Sequence, residues 1–285
     1  MENREIFENI LCLIEQASTV LPEDVSEAIR RAIDSEEGGS RAKRVLEIIL
    51  ENVKLARERR LPICQDTGTL IFYVDKPKEI GQSFISEEIC RAVREATRSG
   101  ILRPNAVDPI TNKNSGDNIG IGSPYIHFDE WDRDEIRARL ILKGGGSENV
   151  SIQYSLPNSE LMAGRDVEGI KKCIIDAAFR AQGFGCSPGI LAVGIGGDRM
   201  TSFMCAKEQL FRRLDDKNPD ETLRNMEAEI YNRVNELGIG PMGFGGKTTI
   251  LGVKIGKRHR VPASFFISVA YMCWAFRRAE IVFKI

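Results

Sequence analysis

Residues 64–69, Cys64-Gln65-Asp66-Thr67-Gly68-Thr69, put a thiol, a carboxamide, a carboxylate and two hydroxyls on one short turn. The pattern before this turn is helical and ends at Arg60-Leu61-Pro62. The run after it, Leu70-Ile71-Phe72-Tyr73-Val74, has the β-branched and aromatic content of a strand. A helix that stops and a strand that starts within a few residues leave the turn as a loop on a rigid frame, able to aim side chains at a ligand. A surface turn needs the Asp and the Gly; it does not need a Cys-Gln in front of them.

The rest of the chain alternates in the same way. Ile6, Ile10, Leu13 and Ile14 recur at helical spacing, Glu23 and Asp24 open a second helix, and 40–60 carries a third with Val45, Leu46, Ile49, Val53 and Leu55 toward a core. Ser86 is predicted to cap a helix over 87–98, ended by Gly100. Residues 108–118 are rich in turn formers. Strands are expected at 136–142, 190–195, 249–255, 265–270 and 280–285, and helices at 167–182, 201–212 and 219–237. The fold expected is mixed α/β, one domain over 1–285, with a helical layer at 1–60 ahead of a mixed-sheet region, 61–285, that carries the functional loops.

Forty basic against 41 acidic residues in 285 leave no nucleic-acid or membrane footprint in the composition. No apolar run approaches the roughly 18 residues that span a bilayer. The charged start, Met1-Glu2-Asn3-Arg4-Glu5, is no secretory leader, so the chain is expected to be cytoplasmic with reduced thiols. Two histidines, His127 and His259, exclude a multi-histidine metal site.

Chemistry therefore falls first to the seven cysteines, none of them in a C-x-x-C pair. Cys12, Cys90, Cys173 and Cys205 lie in apolar helical patterns and are expected to be small core residues. Cys64 and Cys186 lie in loops, the latter in Gly183-Phe184-Gly185-Cys186-Ser187-Pro188-Gly189, and Cys273 ends a strand just before Arg277-Arg278. Three separated loop-end cysteines fit a cluster with one open metal position, separate structural thiols, or a lone nucleophile at Cys64.

Two glycine loops offer backbone amides. Gly144-Gly145-Gly146-Ser147-Glu148-Asn149 follows a strand, and its amides, with Ser147 and Asn149, could converge on an anion as well as form a loose turn. Gly240-Pro241-Met242-Gly243-Phe244-Gly245-Gly246-Lys247-Thr248-Thr249 is not a P-loop, because Gly-Lys-Thr at 246–248 requires glycine at 241, which is proline. Its amides, Lys247 and hydroxyls still suit a carboxylate. Arg103, in Leu102-Arg103-Pro104-Asn105, can grip a carboxylate in bidentate fashion or stand in solvent. His259, in a basic stretch, is the better candidate of the two histidines. His127 reads as a strand residue with no partner in view.

Six motifs in order resemble the alpha subunit, or N-terminal region, of the class I, iron–sulfur fumarate hydratases, a family shared with the L-tartrate dehydratase alpha subunit. They are the 64–69 turn, Leu102-Arg103-Pro104-Asn105-Ala106-Val107, Lys143 to Asn149, Gly194-Ile195-Gly196-Gly197, Gly240 to Thr249, and Cys273-Trp274-Ala275, covering about 46–278. The resemblance implies a [4Fe–4S] cluster on Cys64, Cys186 and Cys273 whose fourth iron binds substrate. It implies dicarboxylate contacts from Gln65, Asp66, Arg103 and Gly144, with His259 lining the cleft. Ser147, Asn149 and Lys247 are further expected substrate-binding residues, and Asp66 and His259 the expected catalytic ones, Asp66 beside the Cys64 thiolate either moving a proton or orienting water. It also implies a beta subunit, in an alpha2beta2 or similar complex, and reversible hydration of fumarate to L-malate. Family members often have Cys-Pro-Pro where this chain has Cys186-Ser187-Pro188. Tartrate dehydration, a cluster-binding scaffold and a Cys64-nucleophile enzyme are the alternatives.

Overall fold

The computed structural model describes residues 2–284 of the backbone and the side chains of residues 5–284. The end of the expected last strand, Ile285, lies outside the described residues. The architecture is mixed α/β, with two four-stranded mixed sheets. The chain folds into two compact units whose segments interleave: Met1–Pro22, Glu51–Gly145 and Arg277–Ile285 form the first, Glu23–Leu50 and Gly146–Phe276 the second. Among the described residues no helix is long and apolar enough to cross a membrane.

In the first unit, α1 (Glu2–Thr19) and α4 (Gln82–Arg98) pack on a sheet of order β2-β1-β3-β8. Its strands are β1 (Thr69–Lys76), β2 (Tyr125–Glu130), β3 (Ile136–Lys143) and β8 (Arg278–Phe283). β1 runs parallel to β2 and antiparallel to β3, which is antiparallel to β8. The helical period anticipated in α1 is the buried stripe: Ile6, Ile10, Leu13 and Ile14 meet Phe72, Ile85, Ile89 and Leu140 in one apolar core. α4 begins four residues before Ser86, with Gly81 at its N-cap and no side-chain cap, so Ser86 is a second-turn residue and not the helix start. Ile85 and Ile89, both fully buried, extend the apolar stripe upstream and draw the helix with it.

In the second unit, β4 (Ile152–Ser155), β7 (Phe266–Met272), β5 (Gly189–Gly196) and β6 (Ile250–Arg258) form the sheet, in that order. β5 and β6 are parallel; β7 is antiparallel to both β4 and β5. Around it lie α2 (Glu23–Ser35), α5 (Gly145–Asn149), α6 (Val167–Ala181), α7 (Arg199–Gln209) and α8 (Glu221–Asn235). Asp166, Asp198 and Asp220 cap α6, α7 and α8, each accepting a backbone N–H three residues on. The Gly196-Gly197 pair and Asp198 are thus the entry to α7. Residues 41–59 form α3 (Arg41–Arg59), with Ala42, Leu46, Ile49 and Ala56 buried. Leu55 is 40% exposed, against the expectation, since it lies one position off that stripe.

Candidate functional site

The first unit gathers its chemistry at one end of its sheet. β1 and β8 start there and β3 ends there, so the 64–68 turn, Gly144 and Arg277 are neighbours by register. Thr69 pairs with Lys143, which brings Gly68 onto the Lys143 backbone. A Cβ at Gly68 would lie 2.8 Å from the Lys143 carbonyl carbon, and φ there is +83°, so only glycine fits. Asp66 closes the turn: Oδ1 accepts the Gly68 N–H at 2.9 Å and Oδ2 accepts the Gly145 N–H at 2.7 Å. The glycine loop's anion is therefore one of the chain's own carboxylates. The stretch after Gly144 is not a loose turn but the single-turn helix α5.

Thr67, 2% exposed, fastens this turn to the Arg103 loop. Its Oγ accepts the Arg103 N–H and the Asn105 Nδ2–H, both at 3.1 Å. Asn118, also 2% exposed, completes the staple with all four of its hydrogen-bonding positions. Its Oδ1 accepts from the Asn105 and Ala106 amides, and its Nδ2 donates to Thr97 Oγ1 and the Arg103 carbonyl. Gln65 and Arg103 are left exposed, and Cys64 and Asp66, on either side of Gln65, are half-buried. Neither Thr67 nor Asn118 was singled out from the sequence. A hydroxyl 36 residues, or an amide 12 to 21 residues, from its partners carries no local signature, although Thr67 stands inside the motif.

In the second unit, Cys186 and Cys273 flank one aromatic ring. Cys186 precedes β5 and Cys273 follows β7, and Ile190 pairs with Met272. The Tyr271 ring lies against the Cys186 loop: a Cβ at Gly185 would meet it at 2.4 Å and one at Gly189 at 2.2 Å. The Trp274 N–H donates to the Cys186 carbonyl at 3.2 Å, tying the loops together. Burial above all, then the neighbouring Cys273 and Cys186, pushes the Tyr271 phenol well above its ordinary value, so it stays neutral. Ser187, fully buried, donates its hydroxyl to the Gly240 carbonyl at 2.7 Å and accepts the Met242 N–H on its own carbonyl. At this departure from Cys-Pro-Pro, a hydroxyl does the fixing.

The other predicted positions lie on different elements of the second unit. Lys247 has an exposed side chain, and its loop is closed around a second internal carboxylate. Glu36, 6% exposed, accepts the Lys247 amide on both oxygens and the Thr248 amide on Oε1. The amides expected to await a ligand are thus filled by the chain, the answer to a nest that folding buries. Ser147 is buried and Asn149 exposed on α5. His259 follows β6, beyond the far end of the parallel β5–β6 pair from Cys186, some seven residues or about 20 Å of strand away. It lines a surface hollow of about 470 Å³ with Ile195, Lys257 and Phe265. His127 has a partner after all: its ring stacks on Tyr73 at 4.6 Å across β1–β2.

All seven cysteines are thiols. Burial raises Cys173 to about 11 and lifts Cys205 as well, which suits inert packing; Cys90, expected in the core, is only half-buried, and partial burial raises it too. Cys12, expected in the core, is exposed on α1. Among the described residues no three His, Cys, Asp or Glu side chains gather as ligands of a single ion. A cubane spreads its thiolates over different irons, and soft thiolates on glycine-rich, externally braced loops suit such a group.

These loops define a mixed α/β protein that presents thiols and carboxylate-handling groups at the ends of its sheets. The sequence model of the family "Fumarate hydratase (Fumerase)" matches residues 8–282, and the chain belongs to the class I fumarate hydratase family. It is 54% identical over 278 residues to "Putative fumarate hydratase class I" of Geobacillus stearothermophilus, covering 96% of this chain and 54% of that protein. It is 37% identical over 280 residues to "Putative L(+)-tartrate dehydratase subunit alpha" of Methanocaldococcus jannaschii, covering 96% of each. With "L(+)-tartrate dehydratase subunit alpha" of Escherichia coli strain K12 it shares 29% over 286 residues, 98% of this chain and 89% of that one. The chain thus spans about half the length of the Geobacillus relative.

Proposed function

We propose that this chain is the cluster-bearing part of a hydro-lyase that interconverts fumarate and L-malate. The observation that carries the reading is the single hydrogen-bonded piece made by Thr67, in which the turn bearing Cys64, Gln65 and Asp66 is joined to the loop bearing Arg103. A thiol, a carboxylate and a guanidinium in one rigid assembly suit a dicarboxylate ligand beside a thiolate-held metal group. Higher identity to the fumarate hydratase relative than to the tartrate dehydratase subunits supports fumarate. The second reading, L-tartrate dehydration, is favoured by the match in length to the Methanocaldococcus subunit alpha.

Cys64, Cys186 and Cys273 would hold a [4Fe–4S] cluster, and the donor set and braced loops fit it. When bound, such a cluster supplies a Lewis-acidic iron that no cysteine occupies. The chain's own residues do the rest. Arg103, exposed on its stapled loop, clamps a carboxylate of the ligand. Gln65 donates its amide to a ligand oxygen. Asp66, whose two oxygens already hold the Gly68 and Gly145 amides, is fixed in orientation and exchanges a proton through its remaining lone pairs. The other half of the longer relative, supplied as a beta subunit or a further segment, completes the site.

The test is anaerobic reconstitution with iron and sulfide, addition of the co-purifying partner, and fumarate hydration measured beside tartrate dehydration. Faster turnover of fumarate is expected. A loaded complex that turns over neither acid would make the chain a scaffold. Activity surviving Cys186→Ser and Cys273→Ser would make it a thiol enzyme.

A further inference from the structure

Arg277 is the largest side chain in the core and 1% exposed, yet its Nε and Nη1 have no hydrogen-bond partner among the described residues. No acidic side chain pairs with it there either. A buried guanidinium left unpaired is costly, and a fold keeps one where something else supplies the anion. Its place is set by register. Arg278 pairs with Ile141, and the Arg277 carbonyl accepts the Leu142 N–H at 3.0 Å, so its side chain starts beside the end of β3. From there Nη2 comes 3.7 Å from the point where a Cβ on Gly144 would sit, and Asp66 Oδ2 comes 3.1 Å from the same point. The missing side chain at Gly144 thus leaves a gap faced by a carboxylate oxygen already committed to the Gly145 amide and by a guanidinium with donors to spare.

We propose that Arg277 is a second carboxylate-binding residue of this site, holding one carboxylate of the ligand at the Gly144 face while exposed Arg103 holds the other. The ligand carboxylate enters beside Asp66, which keeps the Gly68 and Gly145 amides. Burial then makes the Arg277 contact strong, since water does not screen it. This rests on the dicarboxylate reading above and adds a residue to it.

The experiment is calorimetric titration of the iron–sulfur-loaded complex with succinate, a dicarboxylate that has no double bond to hydrate, for wild type, Arg277→Met and Arg277→Lys. Cluster content and Tm are measured on each. The methionine variant is expected to raise Kd at least about tenfold and the lysine variant about threefold, because lysine keeps the charge and loses the fork. Cluster content should stay at the wild-type level, and Tm of the methionine variant should hold or rise, since an unpaired buried charge has been removed. Wild-type succinate affinity in Arg277→Met overturns the proposal while leaving fumarate hydration untouched. Loss of cluster in both variants, with unchanged Kd in the loaded fraction, overturns it by assigning the guanidinium to the cluster. Wild type that binds no succinate overturns it together with the dicarboxylate reading. Should the methionine variant not fold, the lysine variant decides: a raised Kd supports the proposal and an unchanged one overturns it.

Discussion

Thr67 and Cys173 show how differently two small polar side chains are used. Thr67, 2% exposed, accepts the Arg103 backbone N–H on its Oγ. Thr67→Val keeps the shape and removes the acceptor, so it should cost about 1–3 kcal/mol locally. The measurement is amide hydrogen exchange, with the Arg103 amide exchanging about tenfold faster or more. Unaltered exchange there would mean that the staple is not what holds the loop. Cys173 is buried on α6, and desolvation first, then Asp176, pushes its thiol up to about 11 from an ordinary 9.0. A raised value favours the protonated form of the folded chain. Its thiolate is therefore scarce at neutral pH and grows only as pH climbs through that window toward about 11. Alkylation of native protein at pH 8 should label Cys12 and spare Cys173, and unfolding should abolish the difference. Labelling of Cys173 at the rate of Cys12 in the native chain would contradict the burial.

At the scale of elements, glycines and short-range registers decide where helices and strands can approach. Gly194, inside β5, is where α7 crosses the sheet: a Cβ there would lie 2.0 Å from the Ser202 carbonyl oxygen and 2.7 Å from the Ala206 nitrogen. Both are backbone atoms, so the helix itself has to move. Gly194→Ala should cost on the order of 3 kcal/mol or more. Gly38→Ala, with nothing within 4 Å and an ordinary φ, should be neutral or slightly stabilising in the same urea melt. Equal midpoints for the two variants would sink the close-packing account. The same contact explains why Gly194 belongs to a motif that pattern reading could see but not interpret. In α4 the local logic failed at its N-terminus, where Ser86 looked like a cap; tertiary burial of Ile85 outweighed a hydroxyl's preference for the first position.

For the molecule as a whole, the test is which thiols the function needs. Cys64→Ser, Cys186→Ser and Cys273→Ser should each abolish iron and sulfide uptake, whereas Cys12→Ser and Cys90→Ser should leave it at the wild-type level, as read by iron, sulfide and visible absorbance. Uptake surviving a change at 64, 186 or 273 would remove that residue from the proposed ligand set. Tyr271 makes the Cys186 and Cys273 loops interdependent, because the ring that fills the space over Gly185 and Gly189 belongs to the strand that delivers Cys273.

By itself the sequence determined the alternation of helices and strands, the family through six ordered motifs, and the division of cysteines into loop and helix positions. Those properties are written in local periodicity and spacing, which need no partner to be seen. Only the tertiary structure decided which carboxylates fill the backbone nests, Asp66 at Gly145 and Glu36 at Lys247, and which arginine is left buried with donors to spare. Glu36 and Lys247 are 211 residues apart, and hydrogen-bond complementarity over that distance is a property of the folded surface alone. A pattern of residue types names the groups that can act; burial and register determine which of them remain available.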